Sequence, residues 1–123
     1  MSIKLEDLEI YKISMEIGDV VYDIVSGWNQ FDKDTLGKQL VKAADSIALN
    51  ISEGYGRFYY KENKNFCYYS RGSAKETLTA LEKANKRNLI LEEQYKLISE
   101  KLNVYFKPSY SYIKSIGTTK EAV

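Results

Sequence analysis

The chain has 123 residues, 44% of them hydrophobic and 28% charged, with a formal net charge of +1, one proline, one cysteine and no histidine. That supports one domain with a modest core and argues against a long linker, and no run of about 18 apolar residues is there to span a membrane. Without histidine, and with Cys67 alone, thiolate–imidazole catalysis, serine-hydrolase chemistry at Ser14, Ser70 or Ser73, and standard zinc sites are all excluded. Only carboxylate metal sites stay open. The N-terminus lacks the basic-then-apolar pattern of a secretory signal and the lone cysteine fits a reducing compartment, so a cytoplasmic protein without a membrane segment is expected.

Apolar periodicity predicts four helices in chain order. The first covers about Leu5 to Ser26 and carries two stripes, Leu8, Tyr11, Met15, Tyr22 and Val25, then Ile10, Ile13, Ile17, Val21 and Ile24. A helix apolar over so wide an arc is expected to be covered on more than one side, by its own bundle and by a neighbouring subunit. On this reading Ile17 and Val21 lie at the subunit interface, together with part of the fourth helix. Gly27-Trp28-Asn29 ends the first helix. Asp34 is the expected N-cap of the second, because its side chain can accept from free backbone N–H groups of the first turn.

The second helix reaches about Gly54, with Leu36, Leu40, Ala44, Ile47 and Ile51 as its core stripe. Gln39, Ala43, Ser46, Asn50, Gly54 and Arg57 form a second stripe, polar or small, that needs partners if buried. A third helix spans about Lys61 to Arg87, with Phe66, Tyr69, Ser73, Ala80 and Ala84 at helical spacing. A fourth starts near Leu91; Tyr95, Ile98, Leu102, Tyr105, Ser109, Tyr112 and Ile116 make a heptad-like seam. Pro108 lies inside it and is expected to kink or divide the helix near Val104 to Lys107. Strand periodicity and internal repeats are absent. The fold class is therefore all-α, an antiparallel up-down-up-down four-helix bundle over residues 1–117, with 118–123 a frayed tail.

The chain resembles a known family over nearly its whole length. It shows the LEIY entry at Leu8–Tyr11, then Gln39-Leu40, Lys42-Ala43-Ala44, Ser46-Ile47 and Asn50-Ile51. Glu53-Gly54, Gly56-Arg57 and Arg71-Gly72-Ser73 with Glu76 follow. In combination these are similar to the bacterial four-helix bundles encoded in intervening sequences of 23S ribosomal RNA genes, a family that includes the accessory variability determinant of diversity-generating retroelements. The resemblance implies a small bundle assembled as a ring, typically a pentamer, with no known catalysis; no cofactor is expected. For retroelement members it implies binding of nucleic acid and of a reverse transcriptase through a basic surface. Two departures stand out: Val41-Lys42 where two basic residues are frequent, and Leu49 where proline is frequent.

Charge is uneven. Met1 to Thr35 holds three lysines and eight acids, a balance of −5, while Leu36 to Ile90 holds ten basic residues and five acids, a balance of +5. Within the basic stretch Arg57, Lys61, Lys64, Arg71 and Lys75 lie among Tyr55, Phe58, Tyr59, Tyr60, Tyr68 and Tyr69. Interleaved cations and rings suit single-stranded RNA or DNA, where bases stack and cations hold the backbone. With Lys42 they form the candidate nucleic-acid-binding set. The competing reading packs several tyrosines in the core or at a subunit interface and gives Arg57 an ion pair with Glu53 one turn before it. Ser46, Asn50 and Glu53 are expected to face Ser73 and Glu76 as a buried hydrogen-bonded network that sets helix register, with Gly54 and Gly72 permitting close approach. The sharper alternative, Glu53 and Glu76 as a metal-binding or acid–base pair, lacks the histidines that di-metal bundles add. No catalytic or metal-binding residue is assigned. The expected protein is a non-enzymatic homo-oligomer that binds a partner; the alternative is an RNA-binding protein linked to those intervening sequences or to a retroelement.

Overall fold

The computed structural model describes residues 3–117. Four long helices build it: α1, Glu9–Ser26; α2, Lys38–Tyr55; α3, Tyr60–Lys86; and α4, Glu92–Ser115. No strand occurs among the described residues. Short connections turn each helix back on the one before. α1 packs on α2 and α4, and α3 packs on the same two, so the helices follow one another around the bundle and diagonal pairs scarcely touch. The tail assigned to 118–123 lies outside the described residues.

The core follows the predicted stripes. Ile17, Val21, Ala44, Ile47, Ala74, Leu81, Ala84 and Leu102 are fully enclosed, and Ile10, Leu40, Ile51 and Ile98 nearly so. This corrects the reading of α1. Ile17 and Val21 are both 0% exposed inside a single protomer, so they are core residues and take no part in a subunit interface. The two sequence stripes overlap on the inner face of the helix. What α1 leaves open is the Met15 and Tyr22 edge, 44% and 61% exposed.

Helix ends show why the elements start where they do. α1 is preceded by a 3-10 turn, Leu5–Asp7, and closes at Gly27. The second helical run begins earlier than expected, with a helical turn at Gln30–Asp32. Its cap is Asn29, whose side chain accepts from the Asp32 N–H at 2.9 Å, and not Asp34. Asp34 lies one turn inside and accepts from Gln30 Nε2 at 2.8 Å. A π turn, Lys33–Gly37, then feeds α2. Gly37 allows the close fit there, since a Cβ would lie 2.8 Å from Val25 Cγ1 and 2.9 Å from the Asp32 carbonyl.

α3 ends in a left-handed residue, Asn88 at φ 59°. The Leu89 N–H returns to Ala84 O at 2.9 Å and the Asn88 N–H to Asn85 O at 3.1 Å, the paired bonds of a Schellman motif. Leu91 caps the start of α4, and its N–H is taken by Gln94 Oε1 at 2.9 Å. It runs unbroken through Pro108 to Ser115, so the expected division does not occur. Tyr105, Ser109 and Ile113 are buried on either side of the proline, and that packing holds the helix across the missing donor.

Candidate functional site

The basic and aromatic residues singled out above separate onto two flanks of α3. Lys61, Lys64, Tyr68, Arg71 and Lys75 recur at intervals of three and four and so share one stripe. That stripe adjoins α4. The Arg71 guanidinium sits 5.2 Å from the centre of the Tyr110 ring, and Lys75 Nζ sits 4.5 Å from that of Phe106. Lys114 Nζ reaches the same Tyr110 ring at 4.7 Å. Cations held over ring faces gain from the ring quadrupole without losing their charge to a carboxylate. Among the described residues none of Lys61, Lys64, Arg71, Lys75, Lys107 and Lys114 has a carboxylate within 4.0 Å. Arg71 Nε is buried and has no acceptor. Tyr68, 51% exposed, leaves its ring open to solvent on this flank.

Arg57 does not belong to that surface. It lies on the α2 side, bound to Glu53 at 2.8 Å, near Glu62 at 3.8 Å, and 4.7 Å above the Phe66 ring. Its side chain is 41% exposed, so the pair with Glu53 is worth about 0.3–0.5 kcal/mol. Lys42 is exposed on α2, apart from the α3–α4 flank. Of the predicted rings, Tyr60 packs into a small second core with Cys67, Ile113, Ile116 and Tyr112. Phe58 and Tyr59 are exposed in the α2–α3 turn, edge to face at 5.0 Å. Burial pushes the Cys67 thiol up to about 11, which makes it a packing residue and a poor nucleophile.

The predicted polar network does not form between helices. Ser46 Oγ donates to Lys42 O at 2.8 Å, and Asn50 Nδ2 donates to Ser46 O at 2.9 Å, both within α2. Glu53 is taken by Arg57, Glu76 is exposed, and Ser73 contributes its backbone carbonyl to Thr77 Oγ1 at 2.7 Å. The reason is geometric: these side chains sit on the outer margin of the α2–α3 contact, where their own preceding turn is the nearest acceptor. Gly54 does allow close approach, since a Cβ would meet Asn63 Oδ1 at 2.8 Å and Phe66 Cβ at 2.9 Å. Gly72 does not, having nothing within 4 Å of that position.

The buried polar link lies elsewhere. Ser70 Oγ donates to Ile47 O on α2 at 2.8 Å and meets the Tyr105 hydroxyl on α4 at 2.6 Å. With its one proton committed to Ile47, Ser70 accepts from Tyr105, and three helices are tied through one serine. Sequence reasoning missed this because Ser70 sits in the apolar stripe of α3 and nothing local marks its partner. It also missed Phe106, Tyr110 and Lys114. Their signal was available: they recur every four residues beside the heptad seam, in a segment from Lys101 to Ser115 that contains no acid.

A second feature lies across the bundle. α1 and α2 bound a groove of about 330 Å³ with Gly18 and Ala48 at its floor, Met15 and Leu49 at its rim, and Asp19 and Asp45 beside it. Burial raises Asp45 above the ordinary carboxylate range, and the neighbouring Asp19 adds to this. Gly18 makes room for Asp45, whose Oδ1 would be 2.7 Å from a Cβ there. Among the described residues no three His, Cys, Asp or Glu side chains converge as metal ligands, and no helix is long and apolar enough to cross a membrane.

Comparison with known proteins follows the same lines. A solved protein of unknown function from the S23 ribosomal protein family of Bacteroides thetaiotaomicron VPI-5482 superposes with a TM-score of 0.76 at 24% identity, over 85% of this chain and 98% of that one. At that identity the likeness speaks to the fold. No curated protein matches the chain. The family model of the 23S rRNA-intervening sequence proteins matches residues 6–107, and with most of the sequence so matched, the chain belongs to the 23S rRNA-intervening sequence protein family.

Proposed function

We propose that the protein is a non-enzymatic binding module that works as a homo-oligomer, a ring of five as the family resemblance implies. The observation that carries this reading is the open apolar edge of the α1–α2 groove. Met15 and Leu49 at its rim are 44% and 65% exposed, and Tyr22, two turns along α1 from Met15, is 61% exposed, large side chains that a monomer would leave in water. Absence of histidine and the capture of Glu53 by Arg57 leave Glu53 and Glu76 without the setting of an acid–base pair, which supports action by binding. Light scattering on the purified protein tests it. The expected mass is a multiple of 14.2 kDa, and the mass of one chain at micromolar concentration refutes the reading.

The second reading, RNA binding, rests on the unpaired cations of the α3–α4 flank and on the exposed Tyr68. Binding of labelled single-stranded and hairpin RNA across a salt series tests it. Affinity that falls steeply with salt, and falls further in Arg71→Glu/Lys75→Glu, supports phosphate contact. No binding at low salt removes it.

A further inference from the structure

We infer that the acid-flanked apolar groove between α1 and α2 is the docking site for the basic, aromatic α3–α4 flank of a second copy of this chain, giving head-to-tail assembly. The inference rests on the oligomeric reading above and assigns its two surfaces.

Each surface lacks what the other offers. At the groove, Asp19 and Asp45 stand together with no cation of this chain within 4.0 Å among the described residues. Neighbouring carboxylates repel, and a cation from outside relieves them. On the opposite flank, Arg71, Lys75 and Lys114 rest on rings instead of on carboxylates. The charge asymmetry extends over α1 and over the C-terminal half of α4. α1 carries four acids against one lysine, whereas α4 from Lys101 to Ser115 carries only lysines among its charged residues. Apolar parts match as well. Ala48 floors a depression between Met15 and Leu49, and the exposed Tyr68 is a ring of a size to enter it.

Size and symmetry agree. A stable interface takes about 800 Å² from each partner, roughly a tenth of the 7764 Å² that the protomer exposes, and one flank of a four-helix bundle supplies it. Because the two surfaces differ and lie on opposite sides of the bundle, the contact is heterologous, and repeating it propagates around a ring or along a filament. A polyanion such as RNA fits only one of the two surfaces. A second copy fits both.

Charge reversal on each face tests this by light scattering. Asp19→Lys/Asp45→Lys alone and Arg71→Glu/Lys75→Glu alone are expected to lower the mass to that of one chain, 14.2 kDa. All four changes in one chain restore the complementary pair with its sign inverted, and the wild-type mass is expected to return. Failure of the four-change variant to reassemble while keeping its helical circular dichroism overturns the inference. So does a wild-type mass in either two-change variant.

Cross-linking supplies a measurement that does not depend on tolerance of reversed charge. Leu49→Cys and Tyr68→Cys alter exposed positions, one on each face. Mixed, the two proteins are expected to cross-link to one another, and neither alone to itself; the reverse pattern overturns the assignment. A wild-type protein that runs as one chain refutes the oligomeric reading itself. An oligomer unaffected by either reversal refutes only the docking surfaces. If Arg71→Glu/Lys75→Glu keeps the oligomer and loses RNA, the flank belongs to nucleic acid.

Discussion

Removing either end of the Ser70–Tyr105 link should cost unequal amounts. Tyr105 is 1% exposed, and its hydroxyl donates to Ser70 Oγ at 2.6 Å, while Ser70 donates on to Ile47 O at 2.8 Å. Tyr105→Phe deletes a donor but leaves Ser70 with its proton still bonded, so the loss is about 1 kcal/mol, the net worth of one hydrogen bond. Ser70→Ala leaves the buried phenol only Ser109 as a neighbouring partner and removes the added bond to Ile47 O, a cost of about 2–3 kcal/mol. The double variant has no phenol to strand, so its loss should fall short of the sum by about 1 kcal/mol. For a chain of this length each kcal/mol lowers Tm by about 4 °C. Urea unfolding followed by helical circular dichroism, at one fixed protein concentration, measures all three. If Ser70→Ala costs no more than Tyr105→Phe, or if the two losses simply add, the donor direction and the link itself are wrong.

Other expectations come from the same contacts. Gly54→Ala should destabilise by about 1–3 kcal/mol because Asn63 and Phe66 occupy the space, whereas Gly72→Ala, with open surroundings inside α3, should stabilise by about 0.5–1 kcal/mol; opposite signs in urea midpoints would verify both placements. Ile17→Ala should cost about 2–5 kcal/mol and Ile17→Asp should give unfolded or insoluble protein, while soluble, helical monomers from Ile17→Asp would return that residue to a subunit interface. Burial raises Tyr105 to about 12 from an ordinary 10.0, and Cys67 to about 11 from 9.0. Both neutral forms are favoured by the fold, so stability should hold below about pH 9 and decline as pH rises through about 9 to 12, with Tyr105→Phe flattening the upper part of the loss.

How much of this was legible beforehand depends on the range of the interaction. Four helices, their approximate limits and the core stripe of α2 follow from apolar spacing, because a residue buries itself by facing inward every three or four positions regardless of what it meets. The α2–α3 closeness was legible at Gly54, where only a missing side chain leaves room. Caps were less so: Asn29 and Asp34 are both good cap residues, and the choice between them turned on a π turn that Gly37 permits against Val25 and Trp28. Pro108 was expected to kink or divide α4; the division does not occur, because packing on either side outweighed one lost donor.

The candidate site divides along the same line. That the middle of the chain is basic and aromatic was written in its composition. Which cations share a surface was not, because adjacency in sequence placed Arg57 with Lys61 although they lie on different flanks of the bundle. Tertiary structure decided that Arg57 meets Glu53 and Phe66, that Arg71 and Lys75 meet rings of α4, and that Ser70 meets Tyr105 thirty-five residues away. It also decided which side of α1 is core. The sequence by itself determined fold class and family, since periodicity and local motifs are one-dimensional properties. The partners of each polar and charged group depend on rotation about the helix axes, and only packing of all four helices sets that rotation.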